Sequence, residues 1–202
     1  MASSPSALSL LALALCAAPA ASATHDDDGK VLDREARFVG PAFRSGVPRG
    51  PGGANLPALQ FDSFNVQLLS WLPLDQFGTH SSANSCWGYV SASGREYAII
   101  GLSGGTGFVE ITDPTNPDVV QVISGPGSLW RDVKAYQGYG YAVSEGGSGI
   151  QVIDLRQIDS GLVTFVKSVT TGGTTATHTL ALDETSGFLY RSGGQEWTRQ
   201  LG

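Results

Sequence analysis

The side chains equipped for acid–base or metal chemistry are few and scattered: His80 and His178, with the acids Asp132, Glu145 and Asp154. None stands at a close ligand spacing such as His-x-x-x-His, so the local sequence predicts no metal site and no cofactor. Gly146-Gly147-Ser148-Gly149 has the glycine content of a phosphate-cradling loop. It lacks the following Lys-Ser/Thr, and no helix is expected after it to hold a phosphate at its terminus. Ser103-Gly104-Gly105 and Ser144-Glu145-Gly146 lack the Gly-x-Ser-x-Gly turn that exposes a nucleophile. His25 with Asp26, Asp27 and Asp28 reads as a solvated acidic stretch and not as a cation site. No catalytic residue is therefore assigned.

The residues best placed to touch a ligand are Trp87, Arg131, Asp132 and His178. On a strand, adjacent Arg131 and Asp132 point to opposite faces. A hydrogen bond or ion pair to a neighbouring sheet is the preferred reading for that pair. Trp87, Arg131 and His178 each begin the same strand of a repeated unit, and if that strand is innermost they line one rim of a central channel. Trp87 and Trp130 hold near-equivalent positions, so packing is preferred to carbohydrate stacking for both. Cys86 reads as a small buried apolar residue.

The elements that must position these residues repeat along the chain. One unit runs Trp87-Gly88-Tyr89-Val90, Tyr97-Ala98-Ile99-Ile100, then Val109-Glu110-Ile111-Thr112-Asp113. A second runs Arg131-Asp132-Val133-Lys134, Tyr141-Ala142-Val143-Ser144, then Ile150-Gln151-Val152-Ile153-Asp154. Tyr97 and Tyr141 are 44 residues apart, and Asp113 and Asp154 are 41 apart, periods that suit a unit of four short strands. A third unit starts at Thr179-Leu180-Ala181-Leu182 and Phe188-Leu189-Tyr190 and stops before its third strand. Gly94, Gly138 and Gly187 each precede the tyrosine of their unit by three residues, the place of a turn. Asp113-Pro114 ends a strand sharply, since proline cannot donate to a ladder.

The segment GFVEITDPTNP at residues 107–117, followed by Trp130-Arg131-Asp132-Val133-Lys134 and by residues 178–194, resembles the choice-of-anchor B family of LVIVD-repeat proteins. The resemblance covers roughly residues 61–194. It implies an exported β-propeller, usually tethered to the cell surface through a variable C-terminal anchor, with no established catalytic activity. The sequence departs from that pattern at its polar ending, residues 195–202, which carries neither the remaining blades nor an anchor.

Composition agrees with an all-β array. Glycine is abundant, at 27 of 202 residues, and only 15% of residues are charged, as short strands and tight turns require. Twelve basic residues against 18 acidic ones give a net charge of −6, which disfavours a nucleic-acid partner. Residues 8–23 form an apolar run ending Ala21-Ser22-Ala23, the small-x-small pattern of signal-peptidase cleavage, so cleavage is expected after Ala23. The run is too short, and too interrupted by Pro19, for a membrane span, and the mature chain is expected to have none. The organisation expected is a signal peptide over 1–23, a flexible Gly/Pro-rich leader over 24–60, propeller-like repeats over 61–194 and a polar tail over 195–202. The fold expected is an incomplete propeller-like array of about two full blades plus partial ones. Its open edge presents unpaired backbone groups, so self-association is expected there. The functional expectation is an exported, non-enzymatic interaction or scaffold protein with an unidentified protein or surface partner. The alternative is a fragment of a propeller hydrolase or lyase.

Overall fold

The structure, a computed structural model, describes residues 43–44 and residues 68–194. The assigned signal peptide, its cleavage site at Ala23 and the tail 195–202 lie outside the described residues. Within the stretch expected to be an unstructured leader, β1 (Phe43–Arg44) pairs antiparallel with β2 (Ser70–Trp71). A short 3-10 turn, Leu74–Phe77, leads from there to the first sheet.

The chain is all-β, built from antiparallel sheets, and no closed barrel forms among the described residues. Strands β3 (Ala83–Val90), β4 (Glu96–Leu102), β5 (Gly105–Glu110) and β6 (Asp118–Ser124) form a four-stranded meander in chain order. Strands β7 (Arg131–Tyr136), β8 (Tyr139–Ser144), β9 (Ile150–Asp154) and β10 (Thr164–Val169) form a second with the same topology. Strands β11 (Thr179–Asp183) and β12 (Phe188–Ser192) form a hairpin.

Local chemistry explains the turns. Between β7 and β8 the two-residue link Gln137-Gly138 takes φ of 48° and 79°, the left-handed pair whose twist matches that of the flanking strands. After β5, the Asp113 carboxylate accepts the Thr115 amide at 3.0 Å and the Thr115 hydroxyl at 2.6 Å. Asp183 repeats the device between β11 and β12, accepting the amides of Thr185 and Ser186. These aspartates substitute for water on backbone donors that the ladder cannot reach.

The sheets stack face to face, with the first strands β3, β7 and β11 as neighbours. One face of the first sheet contributes Tyr97, Ile99, Phe108 and Ile123 to a core completed by Val133, Ala142, Ile153, Leu155, Ile158 and Val163 of the second unit. We call this forward-looking side of each sheet its leading face. Behind the first sheet, Leu102 and Val109 pack with Leu72, Leu74 and Phe77, so the 3-10 turn caps that end of the stack. The leading face of the second sheet receives the hairpin, whose Leu180 is buried.

The backbone pairing refines the repeat. Tyr97 lies opposite Glu110 and Tyr141 opposite Val152. Taking the two tyrosines as equivalent matches Glu110 with Val152, one residue away from the match that aligns Asp113 with Asp154. On the inner strands Ile99 pairs with Trp87, and Val143 with Asp132. Trp87 thus corresponds to Asp132, and it is Cys86, opposite Ile100, that corresponds to Arg131.

Candidate functional site

Arg131 begins β7 and is 1% exposed. Its guanidinium donates to the Leu102 carbonyl at 3.0 Å, the Pro126 carbonyl at 2.6 Å and Gln151 Oε1 at 3.4 Å. These acceptors belong to the first sheet, to the link behind it and to β9, so the cation ties two sheets from inside. Burial lowers its pKa to about 10, which leaves it charged at neutral pH. A residue so enclosed has no route to a ligand in a channel.

Asp132 points the other way. Its carboxylate accepts from the Ser85 hydroxyl at 2.8 Å, from Lys134 Nζ at 3.0 Å, from the Thr179 hydroxyl at 2.7 Å and from the Leu180 amide at 2.8 Å. Those donors span β3, β7 and β11, so one side chain joins three neighbouring inner strands. Burial alone would raise its pKa, but the Leu180 amide, Thr179, Lys134 and Ser85 outweigh burial and bring it down to about 2. Ser85 reaches it through a bulge where β3 slips register between Asn84 and Cys86, at a φ of 61°. Bulges re-aim side chains in this way.

Trp87 is 37% exposed, and Lys134 Nζ sits 4.5 Å from its ring centroid. Its indole is a surface for the Lys134 cation and not a core residue. Cys86 beside it is exposed, contrary to the buried position expected from its small apolar character. The edge position of β3 accounts for this, since Cys86 lies opposite Ile100 on the face turned away from the second sheet.

His178 precedes β11, at the position that pairing equates with Arg131. Its Nδ1–H donates to Glu145 Oε1 at 2.7 Å, and its ring lies 5.8 Å from that of Trp130. The imidazole is 36% exposed and the carboxylate 13%. Three separate links converge here: the one entering β7, the turn between β8 and β9, and the one entering β11. They are fastened by the Glu145 amide on the Trp130 carbonyl at 3.2 Å and the Thr177 amide on the Ser144 carbonyl at 3.0 Å. A carboxylate on Nδ1 fixes the ring's orientation and, in the neutral ring, places the lone pair on Nε2. The arrangement can accept a proton or a hydrogen bond beside an aromatic wall. Glu145 Oε2 is enclosed without a hydrogen-bond partner.

The other chemically capable residues lie apart from this group. His80 packs over Gly104, where an added methyl would come within 3.2 Å of Nδ1. Asp154 is held by Arg156 in a surface pair, which lowers its pKa to about 2. No group of three His, Cys, Asp or Glu side chains suited to a metal forms among the described residues. Of the four sequence candidates, the structure brings Trp87 and Asp132 together through Lys134, turns Arg131 to the opposite face, and joins His178 to Glu145 and Trp130. The pairing of Glu145 with His178 had no sequence signal, because 33 residues separate them. Only their places at strand ends of successive units hint at it. No family model, curated protein or solved structure matches the chain.

Proposed function

We propose that the chain is an exported, non-enzymatic interaction or scaffold protein of β-propeller type, with the Trp130–Glu145–His178 end of the stack as its ligand-binding surface. The observation carrying this reading is the use made of Arg131 and Asp132. Both side chains hold neighbouring sheets together, Arg131 through the Leu102 carbonyl and Asp132 through Ser85, Thr179 and the Leu180 amide, so the motif builds a framework. Binding then falls to the ends of the sheets, where links from different units meet. The LVIVD-repeat resemblance and the apolar run before Ala23 support a secreted or cell-surface setting for a protein of this kind.

The second reading, a propeller hydrolase or lyase, is favoured by the Glu145–His178 pair, since a carboxylate-oriented imidazole is the usual general base. One experiment separates them. The chain is expressed in a secretory host, its released N-terminus sequenced, and the purified protein assayed on simple aryl esters and aryl phosphates beside His178→Ala. The proposal expects release beginning at Thr24 and no turnover that depends on His178. Turnover abolished by His178→Ala would overturn the non-enzymatic reading, and retention of the protein inside the cell would overturn the exported one.

A further inference from the structure

Gly94, Gly138 and Gly187 all take positive φ, and each is followed three residues later by a tyrosine on the leading face of its sheet. The environment of that tyrosine changes steadily along the stack. Tyr97 is 1% exposed under the second sheet, Tyr141 is half-buried under the hairpin, and Tyr190 is 57% exposed. Phe188, 63% exposed, packs against Tyr190 with ring centroids 6.3 Å apart. The hairpin thus repeats the surface that its predecessors use to receive a sheet, and among the described residues nothing covers it.

A second open surface lies one layer below. Among the described residues, the hairpin packs mainly on β7 and β8. On the leading face of β9 and β10, Ile150, Val152 and Val169 remain half-buried, with Lys167 exposed beside them. The matching half of the first sheet, Phe108 and Ile123, is sealed by the unit above it. The second sheet therefore has a ledge the width of two strands, next to a hairpin two strands wide.

The geometry points to a second copy of this chain as the occupant, related by a two-fold axis, with each hairpin lying on the other copy's ledge. The two hairpins would then share one layer between the two second sheets. Phe188 and Tyr190 of each copy would cover Ile150, Val152 and Val169 of the other, with Asp183 facing Lys167. Head-to-tail addition is closed off because Leu72, Leu74 and Phe77 cap the far end of the stack, and a self-complementary surface with one capped end closes as a dimer. Hairpin against hairpin alone would engage one narrow face. Interlocking engages two, which moves toward the about 800 Å² per partner of stable interfaces.

This assembly does not rest on the His178 ligand surface, which lies at the strand ends, so either can fail without the other. Sedimentation equilibrium of the secreted chain from about 1 to about 100 µM, the range over which weak interfaces of this class saturate, is expected to show a dimer. The double variant Phe188→Ser, Tyr190→Ser is expected to be monomeric with an unchanged far-ultraviolet spectrum. In a Cys86→Ser background, Ala181→Cys, which lies opposite Tyr190 on the same face of the hairpin, combined with Val152→Cys is expected to give an intermolecular disulfide on oxidation. A wild-type monomer throughout the range, a dimer that survives the double variant, or an absence of the intermolecular disulfide overturns the assignment. Should the double variant unfold, the cross-link decides.

Discussion

Asp132 and Arg131 anchor opposite faces of one strand. The Asp132 pKa of about 2 lies below the ordinary value of 3.8, so the folded state favours the charged carboxylate. That stability is complete above the unfolded pKa and is lost as pH falls toward 2, and the shift corresponds to about 2 kcal/mol. Asp132→Asn is expected to lower stability by that order at neutral pH and to flatten the fall of Tm with acid between about pH 5 and pH 2. Differential scanning calorimetry across that range measures both. Arg131 is a buried cation whose acceptors are carbonyls and an amide, so its loss orphans them. Arg131→Ala is expected to cost about 3 kcal/mol in urea unfolding. A change below about 0.5 kcal/mol would place the guanidinium in solvent.

At the scale of strands, the close approach of β3, β4 and β7 depends on Gly101. A Cβ there would collide with the Asn84 carbonyl and meet the Arg131 stem at 3.1 Å. Gly101→Ala is therefore expected to destabilise by about 2 kcal/mol or more, read as a lowered urea midpoint at unchanged m-value. The strands themselves were legible because Gly94, Gly138 and Gly187 stand at one interval from a tyrosine, and because Asp113 and Asp183 build their turns from local bonds. What escaped the sequence was phase. The β3–β4 link, closed by the Ser91 amide on the Arg95 carbonyl, is longer than the two-residue Gln137-Gly138 link. That difference alone puts Trp87 level with Asp132, a shift that hydrophobic alternation does not report, while the Ser85 bulge changes register only ahead of Cys86. Of the candidate site, His178 was visible as a residue, but its partnership with Glu145 arises from stacking of separate units, which no local spacing encodes.

For the molecule as a whole, the sheets depend on one another in series. The first sheet is covered on both sides, by the 72–77 segment and by the second sheet, while the hairpin is supported on one side. In stacked arrays each unit's stability is its own plus that of its contacts with the next. The interlocked dimer would add the missing contact to the hairpin and leave the first sheet unchanged.

The graded cover over Tyr97, Tyr141 and Tyr190 also sets an order of local opening. Backbone amides of β4 and β5 exchange with deuterium only when the stack separates, whereas those of β12 exchange through fraying that leaves the rest intact. Mass-spectrometric exchange on the dilute protein should therefore rank protection from the capped end to the uncapped one, and a limited protease should nick the Gly187 turn before any other.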